Sequence, residues 1–268
     1  MEILLLLVAI LPGLLISFFS FRYDSDRPEP KFLLVICFLL GMFITLPAMK
    51  LESYGEALGW ENPTQFWPLF LSSFVLVAFT EEFVKFACLL LVPYQHKAFD
   101  EPLDGIVYAV MIGMGFATLE NILYEKQYGL ETILFRAFTA VPAHGVFAVL
   151  TGYYAGLAKF DRPRQIRLLA IGFGLAVFMH GLYDFFILQE YYEWMMVLST
   201  LTLAIGIFYA IKMIRMHRER RSQFPLAFEE GQPPLVDEPI ILPEEELPYN
   251  DIKDDIFDEL EKDDEDQP

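Results

Sequence analysis

The chain has 268 residues, of which 55% are hydrophobic and 16% aromatic, and its mean hydropathy is positive at +0.39. This composition is unusual for a soluble globular domain. Most of the formal net charge of −18 comes from residues 222–268, which hold 17 Asp and Glu but only two Lys. The other 221 residues carry a net charge of −3. The chain is therefore a nearly neutral apolar body with an acidic tail, which excludes a basic nucleic-acid-binding surface.

Seven apolar stretches are long enough to span a bilayer, which takes about 20 residues of α-helix. In chain order they cover residues 3–21, 32–49, 66–93, 103–124, 132–157, 167–189 and 194–212. The third and fifth are long enough to tilt, and charged residues interrupt the third and fourth. We predict an all-α fold, a polytopic helical membrane bundle of about seven transmembrane helices that occupies residues 1–215.

The loops between these stretches differ in basic charge. Loops 22–31, 94–102 and 158–167, together with the start of the tail, hold thirteen Lys and Arg, whereas the opposite loops hold only Lys50 and Lys126. Basic loops are typical of the cytoplasmic side. The pattern therefore predicts an N-terminus outside, a C-terminus in the cytoplasm and an odd number of spans. Its like-charge runs predict a disordered acidic tail over residues 216–268.

Ionisable and polar side chains cluster inside four successive spans. At the centre of a membrane helix each charged residue costs roughly 2.5–3.5 kcal/mol on insertion scales. The four spans carry, in chain order, Glu81, Glu82 and Lys85; Glu120, Asn121 and Tyr124; Arg136 and His144; and His180, Tyr183 and Asp184. Taken singly, each has a structural explanation, such as an ion pair, a core histidine or an interhelical hydrogen bond. Two adjacent glutamates, a third glutamate and two histidines on four spans together cost too much for that, and we interpret them as one functional site. Arg136 lies near the end of its span, where its side chain can reach the membrane surface.

Helical spacing relates these residues to one another, because side chains four positions apart share a face. Glu81 can pair with Lys85, which leaves Glu82 turned about 100° away. His180 and Asp184 share a face, so the carboxylate can orient the imidazole. Spacing alone leaves open which glutamate faces the reaction, because the rotation of this span is not fixed by the sequence.

Two related chemistries fit a pair of glutamates near histidines. In one, Glu81 or Glu82 is a general base that activates water, while His144 and His180 stabilise the oxyanion of the attacked amide. In the other, a divalent metal such as Zn²⁺ acidifies the water, with Glu82, Glu120, His144 and His180 as candidate ligands. The sequence has no HExxH and no GxSxG, and no Ser–His or Cys–His pair stands out by its spacing.

The motifs EEFVK (81–85) and GFATLENILY (115–124), then His144, then HGLYD (180–184) occur in this order on successive spans. Over residues 66–189 this set resembles the PrsW family of intramembrane proteases, within the wider CPBP group that includes the CAAX prenyl endopeptidases. By position, the resemblance makes Glu81 and Glu82 the essential glutamate pair. It assigns the second motif to Glu120 and Asn121, the third to His144, and the last to His180 and Asp184.

The resemblance implies a peptidase of the bacterial cell membrane that cuts membrane-embedded proteins, such as single-pass anti-sigma factors, in regulated proteolysis. Lys85, Asn121, Tyr124 and Asp184 are then supporting residues. The family has been described as both metallopeptidases and glutamic peptidases, so no cofactor is fixed and zinc stays an alternative.

Two other classes of function would also place such residues in a bundle. A proton-coupled transporter does so, although it is expected to show broken helices in pseudo-symmetric repeats, and no internal repeat is apparent. A non-enzymatic membrane scaffold of the same fold would tolerate loss of Glu81 and Glu82.

Overall fold

The computed structural model describes residues 2–23, 27–57, 59 and 64–220, and all regular structure within these ranges is helical. The α-helices of this part are α1 (Glu2–Tyr23), α2 (Lys31–Ala57), α3 (Phe66–Leu71), α4 (Phe79–Leu91), α5 (Pro102–Tyr128), α6 (Leu130–Phe138), α7 (Ala140–Phe160), α8 (Gln165–Leu188) and α9 (Met196–Arg220). A π-helical segment, Ser72–Ala78, joins α3 to α4. The predicted all-α fold is confirmed. The acidic tail is predicted to begin at residue 216, but α9 continues to Arg220, and the rest of the predicted tail lies outside the described residues.

Helices α5 and α7 form the centre of the bundle, and most of their side chains are buried. Their backbones come close together at glycines, since a Cβ atom on Gly156 would lie 2.0 Å from the carbonyl oxygen of Pro102. Helix α2 approaches α5 in the same way, and a Cβ on Gly115 would lie 1.9 Å from the carbonyl oxygen of Phe38. Small residues allow this close packing where no water is present to drive association. The glycines therefore fix the positions of α2 and α7 against α5.

The outer helices turn large apolar side chains outward, with Phe19, Phe43 and Phe208 each about two-thirds exposed. Such a surface matches lipid rather than water. Six helical segments within the described residues are long and apolar enough to cross a membrane: Leu5–Arg22, Lys31–Gly55, Pro102–Tyr128, Leu130–Phe160, Arg162–Leu188 and Glu193–Glu219. They coincide with six of the seven predicted stretches.

The other predicted stretch, 66–93, is also helical, from Phe66 to Leu91, but it is not one continuous α-helix. Its middle is the π-helical segment, and the charged side chains of the EEFVK motif follow in α4. Single π-helical turns inside helices occur frequently at functional sites. The glutamate pair thus lies in the first turn of α4, directly after the π-helical segment.

The predicted stretch 132–157 is divided into two helices. Thr139, at φ −124° and ψ −76°, separates α6 from α7. Pro142 follows within the first turn of α7, where a missing backbone N–H costs no helical hydrogen bond. His144 consequently lies near the beginning of α7. Helix α2 also differs, because it continues to Ala57, beyond the predicted end at residue 49.

Connections that are predicted to lie on the same side of the membrane contact one another. Arg27, between α1 and α2, forms an ion pair with Glu101, just before α5, at 3.2 Å. Gln165, at the start of α8, donates a hydrogen bond of 2.9 Å to the Tyr94 hydroxyl, which precedes α5. Glu29 is buried in the α1–α2 connection, and burial raises its pKa to about 7. These contacts define one end of the bundle, here called the basic end.

Candidate active site

Three helices bring two carboxylates and two imidazoles together. Glu81 and Glu82 come from α4, His144 from α7 and His180 from α8, and each of the four is at most 5% exposed. One ligand atom from each lies within 4.8 Å of the others, and this is the candidate metal-binding group within the described residues. Buried groups of this kind are retained only with a specific set of partners.

A lysine ammonium lies at the centre of this group. Lys85 Nζ is 2.9 Å from Glu81 Oε2, 3.0 Å from Glu82 Oε1 and 3.0 Å from His144 Nδ1. It also lies 4.0 Å from the centre of the Phe116 ring. The predicted Glu81–Lys85 pair is therefore present, but the same ammonium also holds the second glutamate. Lys85 neutralises part of the charge that the two carboxylates bring into the interior.

Each histidine directs one ring nitrogen toward this centre and the other toward an outer carboxylate. His144 Nε2 is 2.9 Å from Glu120 Oε2, while its Nδ1 contacts Lys85. His180 Nδ1 is 2.9 Å from Glu82 Oε1, and its Nε2 is 3.2 Å from Asp184 Oδ2. The predicted His180–Asp184 pair is thus present. Since an ammonium only donates hydrogen bonds, His144 Nδ1 must accept one, which places its proton on Nε2 facing Glu120.

A third layer of contacts holds Glu120. Arg136 Nη2 lies 2.8 Å from Glu120 Oε2, and Arg136 Nε donates a hydrogen bond of 3.1 Å to Asn121 Oδ1. Asn121 Nδ2 in turn donates to the backbone carbonyl of Ala9 in α1 at 3.0 Å. The guanidinium carbon of Arg136 is 3.9 Å from the centre of the Tyr124 ring. Asn121 and Tyr124 therefore both contact Arg136, which in turn contacts Glu120.

Arg136 was not predicted to be a site residue. Its position near one end of a predicted span is equally typical of a lysine or arginine that reaches the membrane surface. The break at Thr139 changes this, because it gives α6 a direction of its own and turns Arg136 toward α5. The sequence carries a signal for this break in Pro142, three residues after Thr139.

A cavity of about 530 Å³ adjoins the group of four. Glu81, His144 and His180 line it, whereas Glu82 and Lys85 are not among its lining residues. The lining also includes Tyr128, at the end of α5, and Glu190, after α8. Both positions are at the opposite end of the bundle from the basic end. The cavity therefore reaches from the buried group to that opposite end.

The rotation of α4 thus distinguishes the two glutamates. Glu81 lines the cavity, while Glu82 lies behind it between Lys85 and His180. Phe147 stacks on the His180 ring with 4.6 Å between the ring centres and forms part of the cavity wall. Within the group of four, a molecule in the cavity would therefore contact Glu81 and the two imidazoles but not Glu82.

Comparison with known proteins identifies the family of the chain. A family profile described as PrsW family intramembrane metalloprotease matches residues 29–225, which is most of the chain. The chain belongs to the PrsW family. It is accordingly an integral membrane protein with several spans and a peptidase. This sets aside the transporter and the non-enzymatic scaffold that the residues alone left open.

Several curated relatives, each named Protease PrsW, support this membership. The chain is 35% identical over 187 residues to the protein of Geobacillus kaustophilus (strain HTA426), a match that covers 69% of this chain and 80% of the relative. It is 36% identical over 180 residues to the protein of Bacillus subtilis (strain 168), a match that covers 66% of this chain and 79% of the relative. It is 33% identical over 205 residues to the protein of Clostridioides difficile (strain 630), a match that covers 74% of this chain and 84% of the relative. No solved structure matches the chain.

The family description names a metalloprotease, and the donor set of this PrsW-family chain fits a divalent metal. Two imidazoles and two carboxylates are ligands that zinc accepts in proteins. In addition, both histidines have an outer carboxylate partner, Glu120 or Asp184, as metal-binding histidines usually do. Lys85 already supplies a positive charge to three of the four donors. The group differs from the predicted metal ligands in one member, since Glu81 belongs to it and Glu120 contacts it from outside.

Proposed function

We propose that this chain hydrolyses peptide bonds of single-pass membrane proteins, with Glu81 as the general base. The observation that carries the proposal is that Glu81 belongs to the buried group of four and also lines the cavity. The fully enclosed Glu82 is then a positioning residue, because its Oε1 contacts both Lys85 and His180. Asp184 orients His180, and Glu120 orients His144.

The reaction follows from these positions. Glu81 takes a proton from a water molecule, and the water oxygen bonds to the carbonyl carbon of the scissile amide. The carbonyl electron pair moves onto oxygen, and this negative charge develops beside His144 and His180, which also line the cavity. When the intermediate collapses, the C–N bond breaks and the proton passes from Glu81 to the leaving nitrogen. Lys85 contacts Oε2 of Glu81, which leaves Oε1 to carry the proton.

We also propose that the group of four holds a zinc ion through three of its members, Glu82, His144 and His180. Glu81 then stays free to act as the base, and one position on the metal is left for water. Zinc bound there would lower the pKa of a water ligand and polarise the scissile carbonyl. The family description and the donor geometry support this assignment.

The test is cleavage of tagged single-pass membrane proteins co-expressed with the chain, with anti-sigma factors of the same organism as the first substrates. Wild type is compared with His180→Ala at matched membrane abundance, and the purified protein is assayed with and without a chelator. We expect cleavage by wild type, its loss in the variant and in chelator, and its recovery on addition of zinc. Full activity of His180→Ala contradicts the assigned site, and full activity in chelator contradicts the zinc assignment.

We propose that the chain lies in the bacterial cell membrane with its basic end in the cytoplasm and its N-terminus outside. The thirteen basic residues predicted on this side support this orientation. The cavity then reaches the extracytoplasmic side, where the substrate would enter. A fluorescent protein fused after Arg220 is expected to fluoresce, and alkaline phosphatase inserted at Gly129 is expected to be active. The opposite result for both fusions would reverse the orientation.

A further inference from the structure

Glu52 is a carboxylate in the cavity that has no role in the site described above. It lies in the part of α2 that continues beyond the predicted span, and its side chain lines the same cavity as Glu81. Its Oε1 is inaccessible to solvent and has no hydrogen-bond partner among the described residues. A buried carboxylate oxygen without a hydrogen-bond donor costs folding free energy, so a bound ligand that donates to it would be favourable.

The other acidic groups of the cavity wall differ from Glu52 in this respect. Glu81 is paired with Lys85 at 2.9 Å, Glu120 with Arg136 at 2.8 Å, and Asp184 with His180 at 3.2 Å. A further carboxylate, Glu190, is exposed at the end of the cavity. Glu52 is thus a partly buried carboxylate of the wall, and the structure shows no ion pair for it among the described residues.

The surroundings of Glu52 favour a cation. It interacts electrostatically with three acidic groups, Glu81, Glu120 and Asp184, and with one basic group, His180, so its acidic neighbours outnumber the basic one. The rest of the wall is largely apolar and includes Leu69, Val77, Phe135, Ile187 and Leu188. A long aliphatic stem that ends in a positive charge matches both features, and this describes lysine and arginine side chains.

We infer that Glu52 is a specificity-determining residue that binds a lysine or arginine side chain of the substrate segment in the cavity. The inference rests on the proposed function, since it names what the peptidase selects. Glu52 does not contact the reacting atoms in this scheme. It acts on substrate binding, so its loss raises KM for basic substrates and leaves kcat largely unchanged.

The test uses three single-pass reporter proteins that differ only in the residues beside the cleavage site. These residues are lysine in the first reporter, leucine in the second and glutamate in the third. We expect wild type to cleave the lysine reporter about tenfold more efficiently than the leucine reporter, as for one charge-assisted hydrogen bond. Glu52→Gln is expected to remove this preference through KM, and Glu52→Lys to shift it toward the glutamate reporter. Glu131→Gln, an exposed change on α6 outside the cavity wall, is the matched control and is expected to keep the preference.

An unchanged lysine preference in Glu52→Gln overturns the inference, as does a fall in kcat that is equal for all three reporters. A second readout does not need catalysis. The three reporters are crosslinked to protein carrying Glu81→Gln, with and without Glu52→Gln. The inference is supported if the Glu81→Gln protein captures the lysine reporter selectively and Glu52→Gln abolishes this selectivity. This holds even if wild type cleaves no reporter. Absence of cleavage by wild type would count against the proposed function instead. Equal capture by both variants overturns the inference.

Discussion

Glu81→Gln is expected to lower the rate of substrate cleavage by about 10²- to 10⁴-fold, the range for removal of a general base. The substitution keeps the size of the side chain, and its amide oxygen can still accept the hydrogen bond from Lys85. Folding should therefore be retained while proton transfer is lost. The measurement is cleavage by purified variants of equal thermal unfolding temperature.

The comparison with Glu82→Gln makes this prediction specific. Glu82 lies behind the cavity wall and contacts His180, so its substitution should disturb the imidazole and reduce the rate less than Glu81→Gln does. A larger loss in Glu82→Gln would assign the base to Glu82 instead. Glu131→Gln is the control, since it removes one exposed carboxylate from α6 and should leave the rate unchanged.

Lys85→Met is expected to lower the free energy of unfolding in chelator by about 3–5 kcal/mol, the usual cost of removing one partner from a buried ion pair. Without the ammonium, Glu81 and Glu82 lose the ion pairs that Lys85 forms with both of them in a buried site. Zinc can replace the missing charge, because Lys85 contacts three of the four donor residues. Zinc should therefore raise the thermal unfolding temperature of the variant more than that of wild type.

The experiment measures thermal unfolding in detergent, and the zinc bound per chain by elemental analysis, with and without chelator. Lys126→Met, an exposed change on α5, is the control and should respond to zinc as wild type does. If zinc neither binds to Lys85→Met nor stabilises it, the four residues do not form a metal site. If the variant is as stable as wild type in chelator, Lys85 does not compensate the glutamate pair.

Hydropathy and spacing predicted much of this architecture. The apolar stretches coincide with helices because a membrane helix must satisfy its own backbone and present apolar side chains to lipid. The positions of helix ends were less well predicted. Helix α2 continues through Lys50 and Glu52, since polar residues at the end of a span do not by themselves terminate a helix. The break at Thr139 depends on local backbone angles that hydropathy does not record.

For the site, the residues that share a helix face were the predictable part. His180 and Asp184 are paired as their spacing indicates, and Lys85 holds Glu81. Which glutamate faces the cavity depends on the rotation of α4 against α5, α7 and α8, and no local pattern encodes that rotation. Arg136 and Glu52 were not assigned to the site because both lie near the ends of apolar stretches, where charged residues are common.

The π-helical segment Ser72–Ala78 has a consequence for how related chains should be aligned. A π-helical turn accommodates one more residue than an α-helical turn, and one residue corresponds to about 100° of helix rotation. The aromatic side chains of Phe66 and Phe70 precede the segment, and the glutamate pair follows it. A relative that keeps both parts in these orientations with an unbroken α-helix should lack one residue between positions 72 and 78. A single-residue gap there would mark a change of helix type within the family and leave the active-site motif in register.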